Sequence, residues 1–268
     1  MSVPGEVQSV QRAITVLRAF ARADEWSTSA LARELGLHKS VVHRLLVTLT
    51  RGGLLRQDER TSSFRLAPAM VSLGRRAERA NDVLTIARPF LQRLVEESRE
   101  TVSLCVLQDD HGVCLASVDS PQSMRFTISP GESFPLNAGC VGKVILAFQP
   151  DTFVDALVEA GTLRRFTDRT ITSPDELRRE LARIRLQGYG FSDAEITPGA
   201  RSVGAPVRDA DGKVPYSLVI SAPSLRMTDG RLPQFVAMVR QAAAALSGEL
   251  GYQDAVDGAS IQTIDSAA

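Results

Sequence analysis

The sequence predicts an α+β chain of two domains: a small unit of three helices and a hairpin, then, after a linking helix, an antiparallel sheet flanked by helices. Three features predict it. Apolar residues recur at helical spacing through the first fifty or so positions, the pattern turns to period two beyond about residue 100, and charge is divided unevenly between the two parts. With 268 residues and 44% hydrophobic content, the chain is large enough for two separate cores.

The first helix is predicted over residues 9–22, where Val10, Ala13, Ile14, Leu17 and Phe20 repeat on one face. Two more follow within residues 27–51. Ala30, Leu31, Ala32 and Leu35 form the stripe of a short helix over about residues 28–35, with Ser27 as its N-cap and Gly36 free to turn left-handed at its end. Val42, Leu45, Leu46 and Leu49 then stand at i, i+3, i+4 and i+7. Ser40, Arg44, Val47 and Arg51 point the opposite way, with His43 and Thr48 on the flanks. The joint Gly36-Leu37-His38 has the length and the glycine of the turn in a helix-turn-helix pair. After Gly52-Gly53, residues 54–57 and 63–66 are strand-forming runs on either side of the polar residues 58–62, which makes the hairpin of a winged helix-turn-helix.

Few residues between Pro68 and residue 82 break a helix, so Met70, Val71, Leu73 and the charged stretch 75–79 are assigned to a linking helix. Another helix is predicted over about residues 83–99, its buried stripe being Leu84, Ala87, Leu91, Leu94 and Val95. Residues 102–108, 113–118 and 124–128 read as strands, separated by polar turns at 109–112 and 119–122, and the first two form a hairpin. Helices follow near 142–148, 151–160 and 174–187, the last capped by Ser173 and stopped at Gly188. Strands at 201–208 and 214–221 flank the turn 209–212, and a closing helix spans about 232–250. Consecutive hairpins with helices before and after them make an antiparallel α+β domain. The predicted division is a first domain over 1–67, a linking helix over 68–82, the sheet domain over 83–251, and a loose Gly, Ser and Asp-containing tail over 252–268.

Charge gives the small domain a function. Residues 1–80 hold thirteen basic and seven acidic side chains, whereas residues 81–268 hold eighteen and twenty-four, so a formal net charge of zero hides two opposite parts. A basic helix-turn-helix joined to an acidic domain points to double-stranded DNA as the partner of the first part. Counterion release supplies affinity and base edges supply selectivity. The predicted DNA contacts are Ser27, Thr28, Lys39, Ser40, His43, Arg44, Val47 and Arg51 on the helices, with Arg56, Arg60 and Arg65 of the wing reaching phosphates.

Other classes are weighed on the same residues. No run of about eighteen apolar residues and no secretory signal is present, so no membrane is implied and a cytoplasmic location is expected. Cys105, Cys114 and Cys140 are odd in number and read as reduced structural thiols. No metal site is assigned: Cys105, Cys114 and His111 lack the clustered spacing that zinc needs. No cofactor is implied either. An enzyme would have to use Cys140 as nucleophile with His111 or Asp193 as helpers, and no HExxH, P-loop or nucleophile-elbow pattern stands beside them. A DNA-binding architectural protein that senses nothing is the other alternative to a regulator.

The succession Ser9-Val10-Gln11-Arg12-Ala13, Gly36-Leu37-His38-Lys39-Ser40, Arg44-Leu45-Leu46 with Thr48-Leu49, Gly142-Lys143 with Leu146-Ala147, Gly188-Tyr189, Glu195 and Ala205-Pro206-Val207 resembles the IclR family of bacterial transcriptional regulators over about residues 7–250. The resemblance implies a winged helix-turn-helix, a linker helix and an effector-binding domain similar to GAF and PAS modules, assembled as homodimers or dimers of dimers on a pseudo-palindromic operator. It also implies a pocket between the sheet and residues 138–143, where a helix beginning near Gly142 would favour an anionic group, so that an organic or aromatic acid is the expected effector. Ligand contacts carried over by the resemblance are Cys140, Val141, Gly142, Asp193, Ser202 and Ser221, with apolar walls from Met124, Phe126 and Val203. Asn137 stands where the family often has His, and Val219 replaces a frequent small polar residue, so the specificity of a relative does not transfer. Whether an effector releases or recruits the protein is open.

Overall fold

The computed structural model describes residues 7–20, 23–79 and 82–253. The expected end of the first helix at Arg22, residues 80 and 81 of the linking helix, the side chains of 75–79 and the tail beyond Gln253 lie outside the described residues. The chain separates into two compact units, Met1–Asp82 and Val83–Ala268.

In the first unit, α1 (Gln8–Ala19), α2 (Thr28–Glu34) and α3 (Lys39–Arg51) are followed by a hairpin of β1 (Leu55–Gln57) and β2 (Phe64–Leu66) and by α4 (Pro68–Arg79). Local chemistry sets the joints. Ser27 Oγ accepts the amide of Ala30 at 3.2 Å and opens α2. Gly36 takes φ +63° after it, and the Leu37 amide reaches back to the Ala32 carbonyl at 3.0 Å, so the chain reverses within three residues into α3. Val16, Leu31, Val42, Leu46, Leu55 and Phe64 fill the core. Trp26 fastens the unit: its ring N–H donates to the Ala19 carbonyl at 3.0 Å, and its backbone pairs with Phe64. One expectation shifts here. In α1 the buried residues are Val16 and Ala19, followed by Phe20 just past its end, whereas Val10 and Ile14 are 55% and 47% exposed. The helix has apolar residues on adjoining faces, and packing against α3, which periodicity does not see, selects one of them.

The second unit is built on one antiparallel sheet. Helix α5 (Asp82–Ser98) leads into the hairpin of β3 (Thr101–Gln108) and β4 (His111–Val118). After these come β5 (Ser133–Phe134), α6 (Gly139–Leu146), α7 (Asp151–Glu159), α8 (Pro174–Gln187), β6 (Gly190–Asp193), β7 (Ala200–Val207), β8 (Tyr216–Pro223) and α9 (Leu232–Glu249). The strand order is β5-β4-β3-β8-β7-β6. On one face Val102, Leu104, Val203, Leu218 and Ile220 pack against Leu91 and Leu94 of α5 and Phe235 and Val239 of α9. The other face is made of small residues, among them Gly112, Cys105, Gly204 and Ser202, and α6 lies against it. A side chain at Gly142 would place its Cβ 2.1 Å from the Pro135 carbonyl oxygen, so only glycine permits that approach. Behind α6, Val144 and Leu146 meet Leu177, Leu181 and Ile184 of α8. Ser173 caps α8 and Gly188 ends it at φ +73°.

Four sequence expectations change in this unit. The turn between β3 and β4 is two residues, Asp109-Asp110, with Asp109 at φ +54°, and His111 and Gly112 belong to the strand. Residues 124–128 form no strand; they run irregularly, tied to the sheet where the Thr101 hydroxyl donates to the Phe126 carbonyl at 2.7 Å. Helix α6 begins three residues before Gly142, and its first residue, Gly139, takes φ +73°. Strands β5 and β6 are additional, both too short for an alternating pattern to stand out.

Candidate functional site

In the first unit, α3 buries Val42, Leu46 and Leu49 and leaves Lys39, Ser40, His43, Arg44 and Arg51 exposed, with Val47 half-buried beside them. The Thr48 hydroxyl turns back to the Arg44 carbonyl at 2.8 Å. This gives one cationic helix face on a packed support, the arrangement in which a recognition helix presents side chains to a groove. Ser27 is occupied in capping and Thr28 is half-buried at the start of α2. In the wing, Asp58 organises the tip by accepting the amides of Arg60 and Thr61 at 2.9 and 3.1 Å, which holds its carboxyl below the usual range. Arg56 and Arg60 stand exposed. Arg65 differs: its Nε and Nη2 both donate to Glu25 Oε2, at 2.9 and 2.5 Å, so its charge is partnered within the protein.

In the second unit a cavity of about 160 Å³ lies between the sheet and α6. Its floor is a row of hydroxyls fixed by strand register: Ser192 of β6 pairs with Ser202 of β7, which pairs with Ser221 of β8. Among the described residues none of these three side chains has a hydrogen bond within the protein, so the row is available to a guest. The first turn of α6 adds Gly139, Cys140 and Val141. Phe126, Ile128, Phe134, Ile196 and Val219 supply apolar walls, and Thr127, Glu132, Glu195, Thr197, Ala200 and Arg201 complete the lining. A cavity of about 150 Å³ accepts a benzene-sized guest, so the space suits one ring or a short chain.

The end of the cavity toward α8 is held by buried charge. Lys143 is 1% exposed and donates to Glu195 Oε1 at 2.5 Å, Glu180 Oε1 at 3.2 Å and the Phe191 carbonyl at 3.0 Å. Glu195 Oε2 accepts the Gly139 amide at 2.9 Å, so a protein carboxylate already occupies the first donor of α6. Burial opposes charge on Lys143, but the two carboxylates keep its ammonium above the ordinary value. Burial raises the Glu195 carboxyl, and Lys143 and the Gly139 amide only partly offset that.

The structure brings Phe126, Cys140, Val141, Ser202 and Ser221 together around the cavity. It places four expected contacts elsewhere. Met124 is 57% exposed on the irregular segment and does not line the space. Gly142 is pressed against Pro135 and Leu136. Val203 lies in the core on the opposite side of the sheet. Asp193 pairs in register with Arg201, two residues from the Phe191–Val203 pair, and therefore shares that far side. There it binds Arg201 and Arg169, which hold its carboxyl below the usual range. Its neighbour Ser192 takes the cavity position. Period-two counting from Ser202 through the β6–β7 pairing identifies Ser192, but β6 is absent from the sequence pattern.

Cys140 donates its thiol to the Ser202 and Gly190 carbonyls at 3.0 and 3.2 Å, and burial pushes its pKa up to about 12, a setting that suppresses thiolate chemistry. His111 bonds Asp110 at 2.9 Å in the β3–β4 hairpin. Among the described residues no group of three or more His, Cys, Asp or Glu side chains is placed to hold a metal ion. No helix among them is long and apolar enough to cross a membrane.

With this geometry in place, comparison with known proteins gives a consistent picture. A family model described as the IclR helix-turn-helix domain matches residues 9–59, and one described as bacterial transcriptional regulator IclR C-terminal matches residues 76–248. The HTH-type transcriptional regulator KdgR of Escherichia coli (strain K12) is 33% identical over 251 residues, covering 94% of this chain and 95% of that protein. Among solved structures, an IclR transcriptional regulator from Alicyclobacillus acidocaldarius is similar with a TM-score of 0.81 at 27% identity, over 92% of this chain and 100% of that one. An IclR homolog from Microbacterium hydrocarbonoxydans, crystallised with 4-hydroxybenzoate, shares the fold with a TM-score of 0.77 at 23% identity, over 91% of this chain and 99% of that one.

Proposed function

The chain belongs to the IclR family of bacterial transcriptional regulators, and on that premise we propose that it is a homodimer, or a dimer of dimers, whose hold on a pseudo-palindromic operator is adjusted by a small carboxylic acid. Two copies of α3 enter successive major grooves, so the half-sites are separated by about one helical turn or a multiple of it. Lys39, Ser40, His43, Arg44 and Arg51 make the contacts of each half-site, and Arg56 and Arg60 of the wing meet phosphate.

One observation carries the effector reading: the row of unengaged hydroxyls Ser192, Ser202 and Ser221 beneath the apolar walls Phe126, Ile128, Phe134 and Val219 in a space of single-ring size. Hydroxyl donors at one end and apolar walls at the other suit a carboxylate on a short or aromatic body. The effector alters operator affinity by about 1–3 kcal/mol of coupling. The experiment is a calorimetric titration of the whole protein with 4-hydroxybenzoate and with short aliphatic acids, repeated on Ser202→Val, followed by operator binding with and without the acid that binds. A saturable acid site that Ser202→Val removes, together with a shift in operator affinity, supports the proposal. No binding of any of these acids, or binding that leaves operator affinity unchanged, refutes it.

A further inference from the structure

Away from the cavity, β7, the end of α8, α9 and Tyr252 enclose a second cleft of about 490 Å³, and no residue lines both spaces. Two guanidiniums line it, Arg208 and Arg240, and among the described residues no carboxylate does. That is unusual for this part of the chain, where residues 81–268 hold eighteen basic and twenty-four acidic side chains. Neither arginine forms an ion pair among the described residues.

Arg208 is held in place by other means, and Arg240 is placed by its position on α9. Arg208 lies between two rings, 5.1 Å from the centre of Phe148 and 5.4 Å from that of Tyr252, and donates through Nη1 to the Gly212 carbonyl at 2.9 Å. Its backbone amide is tied to the Ser247 hydroxyl at 2.9 Å. Arg240 projects from α9 over the left-handed end of α8, where a side chain on Gly188 would come within 3.7 Å of the guanidinium. The carbonyl end of α8 favours a cation there. Two cations lining one cleft without a carboxylate among its described lining residues make its potential positive, and an oxyanion bound there meets guanidinium donors and offsets their repulsion.

We infer that this cleft binds a small phosphorylated metabolite, its phosphoryl group shared by Arg208 and Arg240 and the rest of the molecule lying along α9 toward Gln241. A dianionic group with three acceptor oxygens suits two separate guanidinium forks better than a single carboxylate does. The site would be a second input to the effector unit, independent of the acid cavity.

The test is titration of the full-length protein with inorganic phosphate and with pyrophosphate, acetate serving as the monoanionic control, read by calorimetry and by change in Tm. Wild type should bind pyrophosphate saturably and more tightly than acetate. Arg240→Gln, an exposed substitution that leaves the fold intact by circular dichroism, should weaken it about fivefold or more, the scale of a lost charged hydrogen bond. Arg208→Gln should do the same, and Ser202→Val should leave the affinity unchanged. Absence of saturable phosphate or pyrophosphate binding, or a smaller loss in Arg240→Gln, overturns the inference and leaves the proposal for the acid cavity standing.

Discussion

Replacing Lys143 by Met keeps the length and apolar stem of a buried side chain and removes its charge. In the native protein that ammonium is bound by Glu195 at 2.5 Å, Glu180 at 3.2 Å and the Phe191 carbonyl at 3.0 Å, at 1% exposure. After the change, Glu195 retains the Gly139 amide as its hydrogen-bond donor and is left as a buried carboxylate without a counter-charge. Breaking such a pair from one side costs about 3–5 kcal/mol, whereas removing both charges together is far milder. For a unit of this size that is a fall in Tm of roughly 6–20 °C. The loss should also depend on pH. Burial already holds the folded Glu195 carboxyl above its ordinary value, and losing Lys143 raises it further. A folded state that binds the proton more tightly than the unfolded state gains stability as pH falls through the window between the two values, so the defect should shrink on mild acidification. Scanning calorimetry of wild type, Lys143→Met, Glu195→Gln and the double variant at neutral pH and near pH 5 measures both effects. A single variant that melts within about 2 °C of wild type at neutral pH, or a double variant no more stable than Lys143→Met, would refute the reasoning.

Three further outcomes are expected. Gly142→Ala places a methyl 2.1 Å from the Pro135 carbonyl oxygen and 2.5 Å from the Leu136 Cα, both backbone atoms, and should destabilise the second unit by about 1–3 kcal/mol or more, read as a lowered denaturation midpoint. Arg44→Ala should weaken operator binding by about 1–3 kcal/mol and relax sequence preference, whereas Arg56→Ala should weaken specific and random duplex alike and lower the salt slope by about one; identical behaviour of the two variants contradicts the assigned roles. Arg201 and Arg169 hold the folded Asp193 carboxyl below its ordinary value, so its stabilisation is present above the ordinary carboxylate range and is lost as pH falls through the lowered value. Asp193→Asn should therefore flatten the acid side of the Tm profile between pH 7 and 3 and leave acid binding in the cavity untouched.

The helix-turn-helix was legible because its determinants lie within a few residues of one another. Ser27, Gly36, Ser173 and Gly188 act through backbone conformation and a hydrogen bond three or four residues away, and the stripe Val42, Leu45, Leu46 and Leu49 repeats within one helix. The long strands were legible for the same reason. The cavity was legible only in part. Phe126, Cys140, Val141, Ser202 and Ser221 are found at it, while Asp193, one residue along β6 from Ser192, points to the other face of the sheet.

Helix ends, turns and the apolar face of α3 follow from propensity and spacing, which act over one or two turns of chain. Tertiary contact chose which side of α1 is buried, turned Asp193 away and Ser192 inward, joined Arg65 to Glu25 forty residues earlier, and enclosed Lys143 with carboxylates thirty-seven and fifty-two residues distant. These decisions depend on strand register and on close approach between segments far apart in the chain. A side chain's periodicity states that it has two faces available, and only the partner packed against one of them states which is used.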